Sequence, residues 1–451
     1  MVSLGCPKNR VDSEVILGDV KKNGFEIIAE ESKADIIIVN TCGFIDAARE
    51  ESVDTILRMA GHKKRGACET LVVTGCLSQK YKEDLLREIP EIDLLFGTTQ
   101  LGLISKILLK KQLDREFAGR EGKIWIGDPD APPENGEGRF LTTSSHSVYL
   151  KISEGCSSWC KFCIIPKLRG KYRSRHLESV ISEAKSLAQR GAKEINLVSQ
   201  DTTLYGADLG LKKGLSRLLR GLGKIDGIEW IRLLYCRPSL VDDELVETIA
   251  STEKICKYID IPIQHSHDEM LAAMGRNENE KEIRDLVEKL RQKIPGIAIR
   301  TELIVGFPGE KKRHFNHLAE FIEEMEFDRV GVFSYSREDG TEAAAMPNHV
   351  CSSLKKERLG QILELQRRIS FFKNRKLIGT FHKVLVDGFG YSSEDDGAPD
   401  GLPLVEGRLA SQAPGGIDGV VYLDRTHAAP GELKDAMIID AGDYDLIGRC
   451  R

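Results

Sequence analysis

The chain has 451 residues, 41% of them hydrophobic and 30% charged, and a formal net charge of −5 at pH 7. That composition excludes a disordered chain, and the length suits roughly two to four domains. No window approaches the ~18 continuous apolar residues of a membrane span, and no basic segment with an apolar stretch behind it opens the chain, so a cytoplasmic protein without a membrane partner is expected.

Residues 1–115 read as alternating strands and helices. Apolar runs at 34–40, 69–75 and 93–97 predict buried parallel strands, and amphipathic stretches at 10–22, 44–59 and 78–87 predict helices between them. The pattern implies an open parallel α/β sheet with helices on both faces. Cys42 follows the first of these runs, Cys76 follows the second, and Cys6 ends the short segment 2–5. Open α/β sheets bind ligands at the carboxyl ends of their strands. The three thiols, 36 and 34 residues apart, are therefore expected to converge from successive loops. Any one of them alone would read as an ordinary buried cysteine.

Residues 116–141, with Gly119, Gly122, Gly127, Pro129, Pro132, Pro133, Gly136 and Gly138, read as a linker. Residues 142–372 resume the alternation. Strands are predicted at 148–153, 194–199, 228–235, 258–262, 297–305 and 330–335, with helices such as 178–190 and 281–293 between them. Six βα units predict a partial TIM-like barrel, whose chemistry sits at the C-terminal strand ends. Residues 373–451 are rich in Gly, Pro and Asp. Short strand-like runs at 383–386, 418–423 and 436–441 predict a small β-barrel. From residue 375 onward there are 13 Asp and Glu against 8 Lys and Arg, a net of −5, so the rest of the chain is neutral.

Eleven cysteines in a reducing compartment are better read as metal ligands than as disulfides where they cluster. The tightest cluster is Glu154-Gly-Cys-Ser-Ser-Trp-Cys-Lys-Phe-Cys-Ile-Ile-Pro166. Its spacing supplies three thiolates, from Cys156, Cys160 and Cys163, where a cubane cluster has four irons, so one iron keeps an open position. A zinc knuckle would need a fourth ligand, for which His176 is the near candidate. A ferredoxin-type carrier would show C-x2-C-x2-C and a further cysteine. The C-x3-C-x2-C spacing after a barrel strand, with Phe162 before the last cysteine, instead resembles the radical SAM superfamily. Cys68, Cys236, Cys256, Cys351 and Cys450 follow no such pattern and read as core or surface thiols.

The resemblance then narrows. Ser3-Leu-Gly-Cys-Pro-Lys-Asn9, Val39-Asn-Thr-Cys-Gly-Phe-Ile45 and Val73-Thr-Gly-Cys-Leu-Ser-Gln79 are similar to the N-terminal domain of the methylthiotransferases. Ile152-Ser-Glu-Gly-Cys156, Ile259-Asp-Ile-Pro-Ile-Gln-His265 and Glu302-Leu-Ile-Val-Gly-Phe-Pro-Gly-Glu310 resemble their radical SAM core. Gly431 and Asp443-Tyr-Asp-Leu446 resemble a TRAM domain. One departure is Arg10, where the family usually has an apolar residue. Membership implies two 4Fe–4S clusters, one on Cys6, Cys42 and Cys76 and one on Cys156, Cys160 and Cys163, together with S-adenosyl-L-methionine (SAM) and a reductant such as flavodoxin or ferredoxin. It implies methylthiolation of an aspartate β-carbon in the decoding-centre protein of the small ribosomal subunit, or alternatively of a modified adenosine in tRNA. The acidic tail suits a basic protein partner better than a phosphate backbone.

Phe162, Ser199, Gln200 and Asp201 are candidates for SAM contacts, and Gly306, Gly309 and Glu310 are equally a turn or a ligand loop. The basic run Lys167, Arg169, Lys171, Arg173 and Arg175 is either a solvated face or a carboxylate-binding one.

Overall fold

A computed structural model describes residues 1–113, 123–133, 138–390, 404–424 and 427–450. Five parallel strands form the first sheet in the order β1 (Val2–Ser3), β2 (Ile36–Thr41), β3 (Thr70–Gly75), β4 (Leu94–Phe96) and β5 (Ile124–Trp125). The central strands are apolar on both faces, as helix-covered parallel strands must be. Ile37, Val39, Leu71 and Val73 pack against Ile56 and Met59 of helix Asp46–Ala60. Ile38, Val72 and Phe96 pack against Ile16, Leu17 and Val20 of helix Pro7–Lys22 on the other face. Arg10 is exposed on that helix, so the polar residue displaces nothing from the core.

Two features depart from the sequence reading. The predicted helix at 78–87 is two short helices, Cys76–Tyr81 and Glu83–Glu88, broken at Lys82, which has φ +46. The segment read as a linker contains β5, whose Ile124 and Trp125 pair with Leu95 and Phe96. A two-residue strand is too short to show periodicity. Farther on, Arg139 is 2% exposed and its guanidinium lies 3.2 Å from Glu14 and 3.1 Å from Glu183, so this stretch straps the two sheets together.

The second sheet is an open barrel of six parallel strands: β6 (Ser147–Lys151), β9 (Glu194–Val198), β10 (Trp230–Leu233), β11 (Ile255–Asp260), β12 (Ala298–Val305) and β13 (Arg329–Ser334), adjacent in that order. The run predicted at 148–153 is divided. After β6 the chain bends into β7 (Ser153–Glu154), which pairs antiparallel with β8 (Arg173–Ser174). This two-residue hairpin carries the three-cysteine loop. A helix unforeseen in the sequence, Ser352–Arg375, follows β13.

The last five strands close a small barrel: β14 (Phe381–Gly390), β15 (Leu404–Leu409), β16 (Val421–Asp424), β18 (Leu446–Cys450) and β17 (Leu433–Ala441). It docks through buried charge. Arg408 lies 2.7 Å from Glu194 of β9, and Asp418 accepts a 2.8 Å hydrogen bond from the Tyr258 hydroxyl of β11. Glu394, Asp395, Asp396 and Asp400, four of the acids that make this region negative, lie outside the described residues. Val11 of the first helix, Tyr258 of the open barrel and Leu385 and Ala413 of the closed one share a single apolar cluster. The three units are thus packed around the inside of the open barrel. Among the described residues no helix is long and apolar enough to cross a membrane.

Candidate active site

The first sheet delivers its three cysteines as expected from their strand ends. Cys6 caps helix Pro7–Lys22, with Pro7 in the first turn, where a proline loses no hydrogen bond. Cys42 follows β2, and its amide donates to the Ser52 hydroxyl at 3.0 Å. Cys76 opens the helix after β3. Asn9 ties two of the loops by donating to the carbonyls of Leu4 and Thr41 at 3.0 and 2.9 Å.

Cys156, Cys160 and Cys163 lie on the loop between β7 and helix Ile165–Arg169. All six cysteines line one cavity of about 300 Å³, together with Lys8, Phe162, Arg169, Gln200, Asp201, Tyr235, Cys236, Arg237, Gln264, Arg276 and Glu302. The first sheet is therefore docked over the carboxyl ends of the barrel strands.

A glycine neighbours four of the six cysteines. Gly75 has φ +99, and a Cβ there would lie 2.5 Å from the Thr41 carbonyl oxygen. Gly155 has φ +76, and a Cβ would lie 2.1 Å from the carbonyl oxygen of Lys171. The chain at both points passes too close to its neighbour for any side chain. Gly155→Ala is expected to displace the 156–163 loop. Iron quantitation after reconstitution should then show less iron than in the native chain; an unchanged iron content would refute this.

Burial pushes the Cys42 thiol up to about 11, with the nearby Cys76 adding to it, and burial also raises Cys76 and Cys156. Packed, dry thiols resist ionising on their own, whereas a bound metal takes them as thiolates. Six soft sulfur donors in one cavity suit iron–sulfur ligation.

Between the triplets runs a buried charge network. Arg169, 1% exposed, donates from Nε to the Cys76 Sγ at 3.4 Å and from Nη1 to Glu154 at 2.9 Å. Its Nη2 lies 3.0 Å from Asp12 and also donates to Asn9. Lys151 pairs with Glu154 at 2.8 Å and with Asp12. Burial alone would raise the Glu154 carboxyl, but Arg169 and Lys151 outweigh it and hold the group well below the usual carboxylate range.

The weaker sequence candidates separate. Gln200 lines the cavity, donates to Glu154 at 2.9 Å, and leaves its Oε1 buried without a partner. Phe162 lines the cavity with its ring against Met270, Met274 and Phe307. Asp201 also lines it, with its carboxyl raised by burial. Ser199 does not; its hydroxyl is paired with that of Ser153. Gly306, Gly309 and Glu310 lie outside the cavity lining as well. The Glu310 carboxylate caps its own turn, accepting from the Gly306 and Phe307 amides, and pairs with Arg358 at 3.2 Å. The basic run is neither one face nor one site: Lys167 and Lys171 are exposed, Arg175 is buried on Glu183 at 2.6 Å, and Arg169 reaches the cavity. His176 is exposed and outside the cavity.

Cys236, read as a plain core thiol, is 0% exposed yet lines the cavity. Sequence reasoning also passed over Lys8, Tyr235, Arg237, Gln264 and Arg276. Of these, Tyr235 lies two residues past the end of β10 and Gln264 four residues past the end of β11, both in left-handed backbone, at φ +60 and +70.

Comparison with known proteins places this arrangement. The model of an uncharacterized protein family, UPF0004, matches residues 1–97, that of the radical SAM superfamily residues 150–322, and that of the TRAM domain residues 378–450. Ribosomal protein uS12 methylthiotransferase RimO of Geobacter sulfurreducens is 48% identical over 99% of this chain and 97% of its own length. The RimO of Pelobacter propionicus is 49% identical over 99% and 96%. Among solved structures, the radical SAM methyltransferase TsrM of Kitasatospora setae matches with a TM-score of 0.57 at 14% identity, covering 80% of this chain and 86% of its own, which shows a shared fold. Full-length identity near one half, over all three matched regions, shows that the chain belongs to the RimO family of radical SAM methylthiotransferases.

Proposed function

We propose that this chain inserts a methylthio group at the β-carbon of an aspartate in ribosomal protein uS12. The observation that carries the reading is the opening of both cysteine triplets onto one cavity. We assign one 4Fe–4S cluster to Cys156, Cys160 and Cys163 and a second to Cys6, Cys42 and Cys76. When bound, the first supplies the electron that cleaves SAM and the second the site from which sulfur is delivered.

The chain's own residues orient and enclose. Phe162, Gln200 and Asp201 line the wall beside the 156–163 loop and are assigned to SAM. Arg169 and Glu154 hold the two cysteine loops at a fixed separation while they stay dry, which strengthens every charge interaction there. A small electron carrier such as flavodoxin or ferredoxin is the expected reductant in the cytoplasm. The net charge of −5 over residues 375–451 favours a basic protein over tRNA as substrate, because nucleic-acid affinity draws on phosphate neutralisation.

The reading is tested by incubating the anaerobically reconstituted chain with SAM, dithionite and a sulfide source. Mass spectrometry should show the methylthio adduct on uS12 and none on tRNA. Modification of tRNA alone would reverse the assignment.

A further inference from the structure

Lys8 stands two residues after Cys6, in the first turn of helix Pro7–Lys22, and lines the cavity shared by the two cysteine triplets. It is 8% exposed. Among the described residues its ammonium has no carboxylate and no hydrogen-bond acceptor. It rests over the Tyr235 ring, 3.4 Å from the centroid.

The other cations of the cavity are matched. Arg169 has Glu154 and Asp12, while Arg237 and Arg276 share Glu278 at 3.0 and 3.2 Å. The cavity acid Glu302 is itself taken by Arg300 at 2.8 Å. Lys8 is thus a buried positive charge near the Cys163 thiol but with no carboxylate among the described residues, an arrangement that an anionic ligand would complete. The residue beneath it is held in a strained backbone conformation. Tyr235 has φ +60, a conformation rare for a bulky side chain, and its amide is fastened to the Asp260 carboxylate at 2.9 Å. Gln264, at φ +70, lines the same cavity after the next strand. Strain of this kind gathers where a ligand is clamped. The aromatic face attracts the ammonium and fixes its place without cancelling its charge.

We propose that Lys8 is the anchor for the carboxylate of the substrate aspartate. The inference rests on the reading of an aspartate as substrate. It adds the group that recognises that side chain. An aspartate carboxyl carbon is bonded directly to the β-carbon. A carboxylate held at Lys8 therefore keeps the reacting carbon one bond away, in the space faced by both triplets. Asparagine is nearly the same shape but neutral, and it would leave the ammonium unpaired.

The test compares binding of two uS12 peptides, one with the aspartate and one with asparagine, to the reconstituted full chain by fluorescence anisotropy, alongside methylthiolation by mass spectrometry. The native chain is expected to prefer the aspartate peptide by about 10- to 100-fold, the range of a hydrogen bond between charged groups. In Lys8→Met that preference should shrink to within about twofold, and Lys8→Arg should keep most of it. A Lys8→Met protein with full iron content and the native preference would overturn the proposal. Loss of iron from Lys8→Met and Lys8→Arg alike would also overturn it, by assigning Lys8 to the fold of the Cys6 loop. If the native chain modifies neither peptide, the aspartate reading itself fails, whatever the variants do.

Discussion

Arg169→Leu is expected to lower the stability of the chain by about 3–5 kcal/mol, the usual cost of removing one partner from a buried ion pair. The guanidinium touches both halves of the site through four partners. It meets Asp12 and Asn9 of the first helix, Cys76 of the first sheet and Glu154 of the barrel. Leucine leaves Asp12 and Glu154 sharing only Lys151, in a region where Asp12 is 2% and Glu154 5% exposed. It also removes the hydrogen bond to the Cys76 sulfur. The denaturation midpoint should therefore fall, and the iron held by Cys6, Cys42 and Cys76 should be lost more readily than that of the barrel triplet. Arg169→Lys should rescue little, because an ammonium cannot reach four partners at once. A midpoint unchanged in Arg169→Leu, with iron retained, would show that the network contributes nothing to docking.

The second large effect separates the two triplets. The native chain should hold roughly eight irons after reconstitution, and replacing Cys6, Cys42 and Cys76 together by alanine should leave about four. That variant is expected to form 5′-deoxyadenosine from SAM under reduction and yet transfer no methylthio group. Replacing Cys156, Cys160 and Cys163 should also leave about four irons but abolish SAM cleavage. The asymmetry is the informative outcome, since simple misfolding would remove both activities and all the iron from either variant. Methylthiolation by the first variant would remove Cys6, Cys42 and Cys76 from the chemistry.

Much of this site is legible in the sequence. Strand ends in open α/β sheets and barrels are where ligands bind, so cysteines placed there by an apolar run carry position as well as identity. Cys42 after β2 and Cys76 after β3 follow that logic directly, while Cys156 follows the short antiparallel β7 that branches from the end of the barrel strand β6. The glycines beside four of the cysteines were a further signal, unused, of close backbone passage. The linker reading went too far, because β5 has only two residues and no periodicity to display. Ser199 and Glu310 looked like site residues for the same reason as the cysteines, since each follows a strand. Their side chains turn to Ser153 and to a local turn instead, a choice made by rotamer and neighbours.

Sequence alone indicated the fold class and singled out the two cysteine triplets as candidate sulfur ligands, because periodicity and ligand spacing are local properties of the chain. That the triplets face one cavity, with the first region docked over the barrel mouth, followed only from what the family resemblance implies, since no spacing rule connects Cys76 with Cys163. In the structure that docking is fixed by Arg169, Glu154, Lys151 and Asp12, residues up to 157 positions apart. Lys8 was not singled out, for the same reason. In sequence it is one residue of the Ser3–Asn9 motif, and its burial over Tyr235, with no carboxylate partner among the described residues, is what sets it apart.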